Sequence, residues 1–568
     1  MKTIRSLFLS LSLPLLLVVP GLAGAADAPA ARPPGAAIAS AHELATQAGL
    51  DTIRDGGNAF DAAVTVSAVL SVVEPISSGL GGGGFFLLHD ARTGKDLFLD
   101  AREIAPEAAT PEVYLDAEGN LDPDKAQNGP WSAGLPGLPA ALVKLADEYG
   151  KLPLSRSLEP AIRIAEEGFP VYARLERGYN GKREVLERYP GTREVFLADG
   201  DPPKVGETLR QPDLARTLRL IAEQGFDGFY RGEVARKLVA GVNAEGGKWT
   251  LEELAAYTVK EREPIRFDYR GWNIVTAPPT SSGGVALAEM LQIASGWDLS
   301  KLDRPQRIHI LVEAMRRAYR DRTIYLGDPD FTRIPMQRLL SPEYAAGLRA
   351  TIHPEKATPS ELLPGQPAPL EDEETTHFSI IDADGNMVSA TQTINLLYGS
   401  GLVPPGTGVI LNDEMDDFAL KPGTPNAFGV MGFEANAVEP GKRMLSSMTP
   451  TFMFSPGKVT ALGAPGGSRI ITEVLLGILG YDDGLSAQEV AAKPRFHHQW
   501  WPDVISGEDG ALEPETVAAL EAMGHKVNPD EGTWGILNTV AWDRLRNELS
   551  AGADPRNSVG SGEVALLP

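Results

Sequence analysis

The chain has 568 residues, no cysteine and a formal net charge of −24. The absence of cysteine excludes a disulfide framework, a thiolate metal site and a cysteine nucleophile. The negative charge disfavours a partner with a phosphate backbone, so nucleic acid is not expected as a substrate.

The first 25 residues have the pattern of a secretory signal peptide. Lys2 and Arg5 form a basic start, residues 7–19 are mainly apolar, and residues 23–25 read Ala-Gly-Ala, a small-residue cleavage site. The apolar part is shorter than a membrane-spanning helix requires. We therefore expect a periplasmic or secreted protein without a membrane anchor; a retained anchor is the alternative.

Two helices are predicted at the start of the mature chain. Residues 42–54 carry apolar side chains at helical spacing, and a Gly-Gly pair ends this segment. Asn58 is suited to cap a second helix over residues 59–73, with Asp61 at the capping-box position. We interpret both helices as buried framework.

A glycine-rich run, SSGLGGGG at residues 77–84, contains a GxGxxG match. A dinucleotide site would need a strand before this run and a helix after it. Here the order is reversed, because an alanine-rich helix precedes the run and an apolar strand segment follows it. The run is therefore predicted to be a tight backbone turn.

The next predicted element is a hairpin of residues 85–88 and 97–100, with Thr93 and Gly94 in its turn. The second strand leads directly into Arg102. A single arginine after a strand is usually part of a surface ion pair, and the hairpin alone gives no reason to assign it another role.

The region from residue 136 to about residue 330 suggests amphipathic helices and no chemistry. Apolar side chains recur at helical spacing in four segments, residues 140–149, 158–167, 213–224 and 306–322. Charged side chains occupy the opposite face of each segment. Accordingly, we interpret Arg316, Arg317 and Arg320 as solvated helix surface.

A loop over residues 356–374 precedes the most informative stretch of the chain. Its prolines and the acidic run EDEE leave it without apolar periodicity. The stretch TTHFSIIDADGNMVSATQTIN, residues 375–395, then begins as a strand, and Asp384 with Gly385 predicts a hairpin turn within it. Thr375 therefore stands where a loop meets a strand.

A threonine at such a junction can have either of two roles. It can simply begin an edge strand, because threonine is common in strands. Alternatively, it becomes a nucleophile once the bond between Glu374 and Thr375 is cleaved. The released α-amino group, with a pKa of about 7.7–8.0, can then act as base for the hydroxyl of the same residue. This stretch alone leaves both roles open.

Four further motifs follow in the chain. They are ILNDEMDDF (residues 410–418), LSSMTP (445–450), APGGSRII (464–471) and PRFHHQW (494–500). Together with TTHFSIIDADGNMVS, in this order and at these separations, they resemble the γ-glutamyltransferase (γ-glutamyltranspeptidase) family of N-terminal nucleophile hydrolases. Five motifs in register are far more specific than any one of them.

The resemblance implies a fold and a maturation step. The implied fold is α+β, a four-layered αββα sandwich in which two stacked sheets lie between helical layers. One precursor is expected to lose residues 1–25 and to be cut once into a large chain, residues 26–374, and a small catalytic chain, residues 375–568. Periodicity itself indicates only a mixture of helices and strands.

The resemblance also implies the catalytic groups. Thr375 is expected to be the nucleophile, and the hydroxyl of Thr393 to contact and help activate it. Gly466 and Gly467 are expected to form the oxyanion hole, where two backbone NH groups must approach the developing charge without a Cβ in the way. Without the register, this Pro-Gly-Gly sequence would indicate only a turn.

Further residues are implied to bind the substrate's α-carboxylate and α-amino groups. The carboxylate is expected to contact Arg102, Ser446 and Ser447, since a guanidinium binds a planar carboxylate through two parallel bonds. The ammonium is expected to contact Asn395, Glu414 and Asp417, since it offers three donors and needs acceptors around it.

Residues 421–439 are rich in Gly, Pro and Asn and resemble a lid loop that some members of the family carry over the glutamyl pocket. Phe428 stands where an aromatic gate is expected, and a lid would limit the entry of water during acyl transfer. An exposed surface aromatic is the alternative.

His497 and His498 suggest a metal site, but adjacent side chains diverge on either a helix or a strand, and no ligand stands near them at a spacing such as HExxH. We therefore expect neither a metal nor another cofactor.

The sequence thus predicts an exported, self-cleaving γ-glutamyltransferase and glutathione hydrolase that transfers γ-glutamyl groups to water, amino acids or peptides. Two alternatives remain. A related acylase that cleaves glutaryl side chains from β-lactams would share the nucleophile, but its substrate lacks the amine. A non-catalytic binding protein on the same scaffold would remain one chain.

Overall fold

The structure is a computed structural model that describes residues 32–197, 200–362 and 375–567. The predicted signal peptide and Glu374 lie outside these ranges. No helix within the described ranges is long and apolar enough to cross a membrane.

The strands of the described residues are β1 (Gly35–Ser40), β2 (Gly83–Asp90), β3 (Lys95–Ala101), β4 (Phe169–Pro170), β5 (Thr208–Leu209), β6 (Lys260–Arg262), β7 (Ile265–Tyr269), β8 (Trp272–Thr276), β9 (Thr376–Ile381), β10 (Met387–Thr393), β11 (Thr451–Phe454), β12 (Lys458–Gly463), β13 (Phe496–His497), β14 (Ile505–Gly507), β15 (Val527–Asn528), β16 (Asn538–Asp543), β17 (Glu548–Gly552) and β18 (Ser561–Leu566).

The helices of the same residues are α1 (Glu43–Arg54), α2 (Ala59–Val73), α3 (Pro123–Gln127), α4 (Leu138–Glu148), α5 (Leu154–Glu167), α6 (Ala173–Leu186), α7 (Pro190–Phe196), α8 (Pro212–Gln224), α9 (Phe226–Tyr230), α10 (Glu233–Ala244), α11 (Leu251–Ala255), α12 (Gly283–Ala294), α13 (Arg304–Tyr325), α14 (Met336–Leu339), α15 (Pro342–Arg349), α16 (Ile470–Asp482), α17 (Ala487–Ala492) and α18 (Pro514–Ala522).

The fold is a mixed α+β structure built on two large antiparallel sheets. The first sheet has seven strands in the order β18-β1-β9-β10-β2-β3-β6, and the second has six in the order β17-β16-β12-β11-β8-β7. In the first sheet β9 and β10 lie between β1 and β2. The chain segments before and after Thr375 therefore share one hydrogen-bonded sheet.

The first sheet is buried on both faces. Along β1, Ala36 and Ile38 pack into one hydrophobic core, whereas Ala37 and Ala39 pack into another. The first core includes residues of α1 and α2, and the second includes residues of the six-stranded sheet and of α12, α13 and α16. Because successive side chains of a strand point to opposite faces, the first sheet lies between a group of helices and the second sheet.

The predicted helices at the start of the chain are confirmed, with their caps. The His42 side chain accepts a hydrogen bond from the backbone of Leu44 at the start of α1. At the start of α2, Asn58 Oδ1 accepts from the backbone NH of Asp61 at 3.0 Å, and Asp61 Oδ2 accepts from that of Asn58 at 2.8 Å. This reciprocal pair is the predicted capping box.

The other predicted helices and hairpins are confirmed as well, whereas residues 363–374 of the predicted loop lie outside the described ranges. The hairpin of β2 and β3 turns at residues 91–94, and the hairpin of β9 and β10 turns through Gly385, which has a φ of +91°. Helices α4, α5, α8 and α13 cover the four amphipathic segments, although α5 begins at Leu154 rather than at residue 158.

The interpretation of three arginines of α13 as solvated surface is wrong. The side chains of Arg316 and Arg317 are only 1% and 2% exposed, and that of Arg320 is 23% exposed. The helix is covered by other elements, since the second hydrophobic core includes its apolar residues. A buried arginine cannot be distinguished from a solvated one by hydrophobic periodicity, because both interrupt the apolar pattern in the same way.

Neighbouring carboxylates compensate these charges. Glu313 lies between two arginines. Its Oε1 is 3.3 Å from Nε of Arg316, and its Oε2 is 2.7 Å from Nη1 of Arg317. Asp503, which follows β13, also pairs with Arg316. The same aspartate accepts the backbone NH of Ser360 at 2.8 Å. This network joins α13 to segments on both sides of Thr375 in the chain.

We expect Arg316→Met to lower the midpoint of thermal unfolding by several degrees. The substitution leaves Glu313 and Asp503 without one of their cationic partners, and breaking a buried ion pair typically costs about 3–5 kcal/mol. Circular dichroism on heating measures the change. Arg156→Met is the control, because Arg156 forms a similarly spaced pair with Glu159 in which both side chains are more than half exposed. Equal effects of the two substitutions would contradict this view of Arg316.

Candidate active site

A small cavity that is partly open to solvent lies beside Thr375. Its lining includes nearly all of the predicted site residues, namely Arg102, Thr375, Thr393, Asn395, Glu414, Asp417, Phe428, Ser446, Ser447 and Gly467. Gly466, the remaining predicted catalytic residue, precedes Gly467. The fold therefore brings together residues that are distant in the sequence, and their individual roles stay predictions.

Strand pairing places the two predicted catalytic threonines side by side. Thr375 directly precedes β9 and Thr393 ends β10, and in this hairpin Gln392 pairs with Thr376. The hydroxyl of Thr375 donates to that of Thr393 across 3.4 Å. Thr393 Oγ1 also accepts the backbone NH of Asn395 at 2.7 Å. The acceptor is thus oriented by the backbone that follows the strand.

The glycine-rich run lies against this hairpin, as a tight turn should. A Cβ on Gly82 would stand 2.0 Å from the carbonyl oxygen of Thr393, and a Cβ on Gly81 would stand 2.0 Å from that of Ile410. Only glycine allows the backbones to approach so closely. The run therefore supports the position of Thr393 and does not bind a dinucleotide phosphate in the way the GxGxxG pattern suggests.

The predicted oxyanion groups lie in a turn before a helix. The chain leaves β12 and passes through Gly466, with a φ of +125°, and Gly467, with a φ of +47°, before α16 begins at Ile470. A side chain at either position would be strained. The unpaired backbone NH groups and the dipole at the start of a helix favour negative charge nearby. We call residues 464–469 the oxyanion turn.

The predicted carboxylate-binding and amine-binding groups are in direct contact. Arg102 is 1% exposed, and its guanidinium pairs with Asp417 and with Glu414, the latter at 2.5 Å from Nη1. Arg102 Nε also donates to the carbonyl oxygen of Met444 at 3.2 Å. An amino acid carries its ammonium and carboxylate on one carbon atom, so groups that bind both must also be neighbours.

Arg322 of α13 was missed by the sequence analysis and lines the cavity. Its Nη2 donates to Ser447 Oγ at 3.1 Å, and its Nε donates to Ser282 Oγ at 3.0 Å. Hydrophobic periodicity gives no signal for this role, because α13 is buried on nearly all sides and Arg322 interrupts the apolar pattern as a solvated arginine would. In the fold, Arg322 orients a serine of the site.

Burial dominates the electrostatics of the acidic residues. Burial raises the pKa of Glu103 to about 7, that of Asp413 to about 7 and that of Asp416 to about 8. Burial also raises the pKa values of Glu414 and Asp417, although the positive charge of Arg102 opposes the effect. These carboxyl groups therefore hold protons to higher pH than exposed ones.

Arg102 itself remains charged. Burial acts to lower its pKa, but the neighbouring carboxylates of Glu414, Asp417 and Glu103 outweigh burial and raise it above its usual range. Because three carboxyl groups share this one guanidinium, protonation of a carboxyl group is the way in which the cluster relieves its excess of negative charge.

No histidine is among the residues that line the cavity. The nearest in sequence, His377, is buried and hydrogen-bonds Thr391 and Ser379 instead of Thr375. Burial lowers its pKa to about 3, so the ring is neutral. Within the described residues, the hydroxyl of Thr375 therefore has no histidine base at its side.

The two histidines of the PRFHHQW motif are buried and hydrogen-bonded to protein groups. His497 contacts Gln499 and Thr472, and His498 contacts Asp503. Both rings are thus held in place by protein hydrogen bonds.

A different group, His309, Glu313 and His525, is close enough for metal binding. However, His309 Nδ1 lies 2.8 Å from His525 Nε2, a hydrogen-bond distance, and Glu313 is bound by two guanidinium groups. We assign no metal to it, and the expectation of a metal-free protein stays a prediction.

Phe428 is buried, so the alternative of an exposed surface aromatic is wrong. It is 5% exposed, lines the cavity, and packs with Leu396, Ala427 and Val430. The segment is attached next to the site, because Asn426 Nδ2 donates to Asp417 Oδ1 at 3.1 Å. Residues 421–439, the lid segment, therefore contribute a wall of the cavity.

Comparison with known proteins gives consistent matches. The sequence model of the gamma-glutamyltranspeptidase family matches residues 45–564. The glutathione hydrolase proenzyme of Pseudomonas sp. strain A14 is 44% identical over 540 residues, which cover 92% of this chain and 93% of that protein. That of Escherichia coli strain K12 is 42% identical over 528 residues, which cover 92% and 90%. Among solved structures, the cephalosporin acylase from Bacillus halodurans matches with a TM-score of 0.82 at 31% identity, covering 98% of this chain and 100% of that one.

The raised pKa of Asp416 predicts how stability depends on pH. The folded protein holds this proton up to about pH 8, whereas an unfolded chain releases it near pH 4. Folding therefore binds a proton between these two pH values. As a result, stability falls as pH rises through this window. Between about pH 5 and pH 8, which lie in this window, the midpoint of thermal unfolding should therefore fall less for Asp416→Asn than for the wild type. Asparagine can still accept the NH of Ala427, which Asp416 binds at 2.9 Å.

Asp384→Asn, on the exposed turn of the second hairpin, is the control for this experiment. It should leave the pH dependence of the midpoint as in the wild type. Parallel pH profiles for Asp416→Asn and the wild type would contradict the assignment of a protonated, buried carboxyl group to Asp416.

Proposed function

The chain belongs to the gamma-glutamyltranspeptidase family, and from that premise we propose that Thr375 performs the chemistry as the first residue of a small chain. The protein is an enzyme of the γ-glutamyltransferase and glutathione hydrolase class. The observation that carries the proposal is the contact between the hydroxyls of Thr375 and Thr393 at the edge of a cavity that contains Arg102, Glu414 and Asp417.

Self-cleavage between Glu374 and Thr375 produces the nucleophile. The relatives are proenzymes, and the large chain, residues 26–374, and the small chain, residues 375–568, would each contribute strands to both large sheets. The two products thus remain bound to each other after the cut. The packed sheets with helices against them support an αββα sandwich of the N-terminal nucleophile hydrolase type, formed jointly by the two chains.

The reaction proceeds through an ester. The α-amino group of Thr375 accepts the proton of its own hydroxyl as Oγ1 attacks the γ-carbonyl carbon of a γ-glutamyl amide. The backbone NH groups of Gly466 and Gly467 stabilise the oxyanion. Collapse of this intermediate breaks the amide bond, and the leaving amine takes the proton from the α-amino group. Water or an amino acid then attacks the ester, and Thr375 regains its hydroxyl.

Specificity resides in the free amino-acid end of the substrate. Arg102, Ser446 and Ser447 bind the α-carboxylate, with Ser447 oriented by Arg322. Asn395, Glu414 and Asp417 bind the α-ammonium. Because these groups contact only the glutamyl part, glutathione and other γ-glutamyl amides are all accepted as donors. The signal pattern at the start of the chain supports reaction outside the cytoplasm, in the periplasm or beyond the cell.

Purified wild-type protein should consist of two chains, and Thr375→Ala should remain one. Denaturing electrophoresis with N-terminal sequencing should give Thr375 as the first residue of the smaller band. The alanine variant should lack turnover of a chromogenic γ-glutamyl anilide, since it has no hydroxyl to attack either the peptide bond or the substrate. A fully active single chain would instead favour other chemistry, and an inactive single chain would favour a binding protein.

A glutaryl acylase is the second candidate, because the chain resembles a cephalosporin acylase in structure. A glutaryl group has the carboxylate but lacks the amine, so the carboxylates of Glu414 and Asp417 argue for the γ-glutamyl substrate. We expect kcat/KM for the γ-glutamyl anilide to exceed that for the glutaryl anilide by about 10- to 100-fold, the value of a hydrogen bond to a charged group.

Two variants test this assignment further. Asp417→Ala should reduce the preference for the γ-glutamyl substrate, because it removes a partner of the amine. Ser447→Ala should lower kcat/KM for both substrates by a similar factor, because both carry the carboxylate. A preference for the glutaryl anilide in the wild type would transfer the assignment to the acylase.

A further inference from the structure

Gln499 contacts two different walls of the active site. It is 5% exposed and lies shortly after β13. Its Nε2 donates to the carbonyl oxygen of Phe428 at 3.0 Å. Its Oε1 accepts from Ser468 Oγ at 2.5 Å and lies 2.9 Å from His497 Nε2. Phe428 belongs to the lid segment and Ser468 follows Gly467, so one buried amide joins the lid segment to the oxyanion turn.

The donors and acceptors around Gln499 allow one consistent arrangement. The carbonyl of Phe428 can only accept, so the amide presents its NH2 group to it and its oxygen to Ser468 and His497. His497 then carries its proton on Nε2, so its Nδ1 can only accept. The single proton of Thr472 Oγ1, 2.8 Å from Nδ1, is therefore directed to His497 rather than to the carbonyl oxygen of Arg469 at 2.9 Å. Burial lowers the pKa of His497 to about 3, which keeps the ring neutral, as this arrangement requires.

The part of the lid segment that contains Phe428 forms a closed loop. Residues 423–432, the lid tip, are closed at their base by a backbone hydrogen bond of 2.9 Å from Gly423 to Gly432. The apolar residues of the tip pack with Leu396 in a small cluster that is separate from the large cores. A segment with few apolar contacts opens locally at low free-energy cost. The tip is also held by hydrogen bonds from Asn426 to Asp417 and from the Ala427 NH to Asp416, so the bond from Gln499 is one of a few polar contacts that fix its position.

We propose that Gln499 is a positioning residue that couples closure of the lid tip to the geometry of the oxyanion turn. With the tip closed, the Phe428 carbonyl fixes the rotation of the amide, and the amide oxygen then holds the Ser468 hydroxyl next to Gly467. When the tip opens, the amide loses this constraint and the oxyanion turn loses its orientation. The inference rests on the function proposed above, because it assigns the oxyanion role to Gly466 and Gly467.

Three variants separate the two halves of this link, namely the hydrogen bond to Phe428 (the lid half) and the hydrogen bond from Ser468 (the oxyanion half). Gln499→Met removes both halves, and we expect KM for the γ-glutamyl anilide to rise and kcat to fall, each by about 3- to 10-fold, the value of one hydrogen bond. Ser468→Ala removes the oxyanion half, so it should lower kcat and leave KM nearly unchanged. In the double variant Gln499→Met with Ser468→Ala, kcat should be close to that of Gln499→Met alone, because the Ser468 hydroxyl has already lost its partner.

Gln499→Glu tests the lid half through pH. An ionised carboxylate accepts from Ser468 and His497 but cannot donate to the Phe428 carbonyl, whereas a protonated carboxyl group can donate. The KM of this variant, divided by that of the wild type, should therefore rise as pH rises. Gln488→Glu is the control, because Gln488 is exposed and its Nε2 also donates to a backbone carbonyl, that of Ala553 at 3.1 Å. Its relative KM should not depend on pH.

The outcomes distinguish this inference from the proposed function. A wild type that is not cleaved, or that does not turn over the γ-glutamyl anilide, refutes the proposed function. If the wild type is cleaved and active, unchanged KM and kcat in Gln499→Met, or independent effects of Gln499→Met and Ser468→Ala on kcat, overturn the coupling. If Gln499→Met fails to mature, the Ser468→Ala kinetics and the pH dependence of Gln499→Glu decide the question in the same way.

Discussion

The antiparallel pairing of β9 with β10 is the interaction on which the site depends. It places Thr375, at the start of one strand, beside Thr393, at the end of the next. Because β1 and β2 flank this hairpin in the sheet, the position of Thr375 is held by chain segments from both sides of the proposed cut. A nucleophile that becomes a chain terminus needs such support, since a terminus is otherwise poorly ordered.

The second requirement is a charge cluster that stays in place while buried. Arg102 is surrounded by Glu414, Asp417 and Glu103, and its own charge is stabilised by theirs. Burial of so many carboxyl groups is costly, and their raised pKa values are the physical consequence. The same cluster provides a cation and anions within a few ångströms, the arrangement that a zwitterionic amino-acid group requires. Under the proposed function, stability and recognition therefore depend on the same side chains.

Much of this architecture could be predicted from the sequence, because the signals are local. The capping box of Asn58 and Asp61 and the turn at Gly385 depend on residues a few positions apart. The buried charges could not be predicted in this way. The sequence pattern predicts a solvated Arg316 because its partner Asp503 is distant in sequence, and the link from Gln499 to Phe428 joins two loops. Only the fold shows which polar side chains meet. The grouping of the site residues was expected from five motifs in register, and not from any single pattern.

The central claim is that Thr375 carries the acyl group as a chain terminus. Mass spectrometry of the protein after rapid acid quenching during turnover of a γ-glutamyl amide tests it most directly. The account predicts a small chain that begins with Thr375 and carries one γ-glutamyl group as an ester on that residue. A γ-glutamyl group attached to another residue, or turnover by an uncut chain without any acylated threonine, would contradict it.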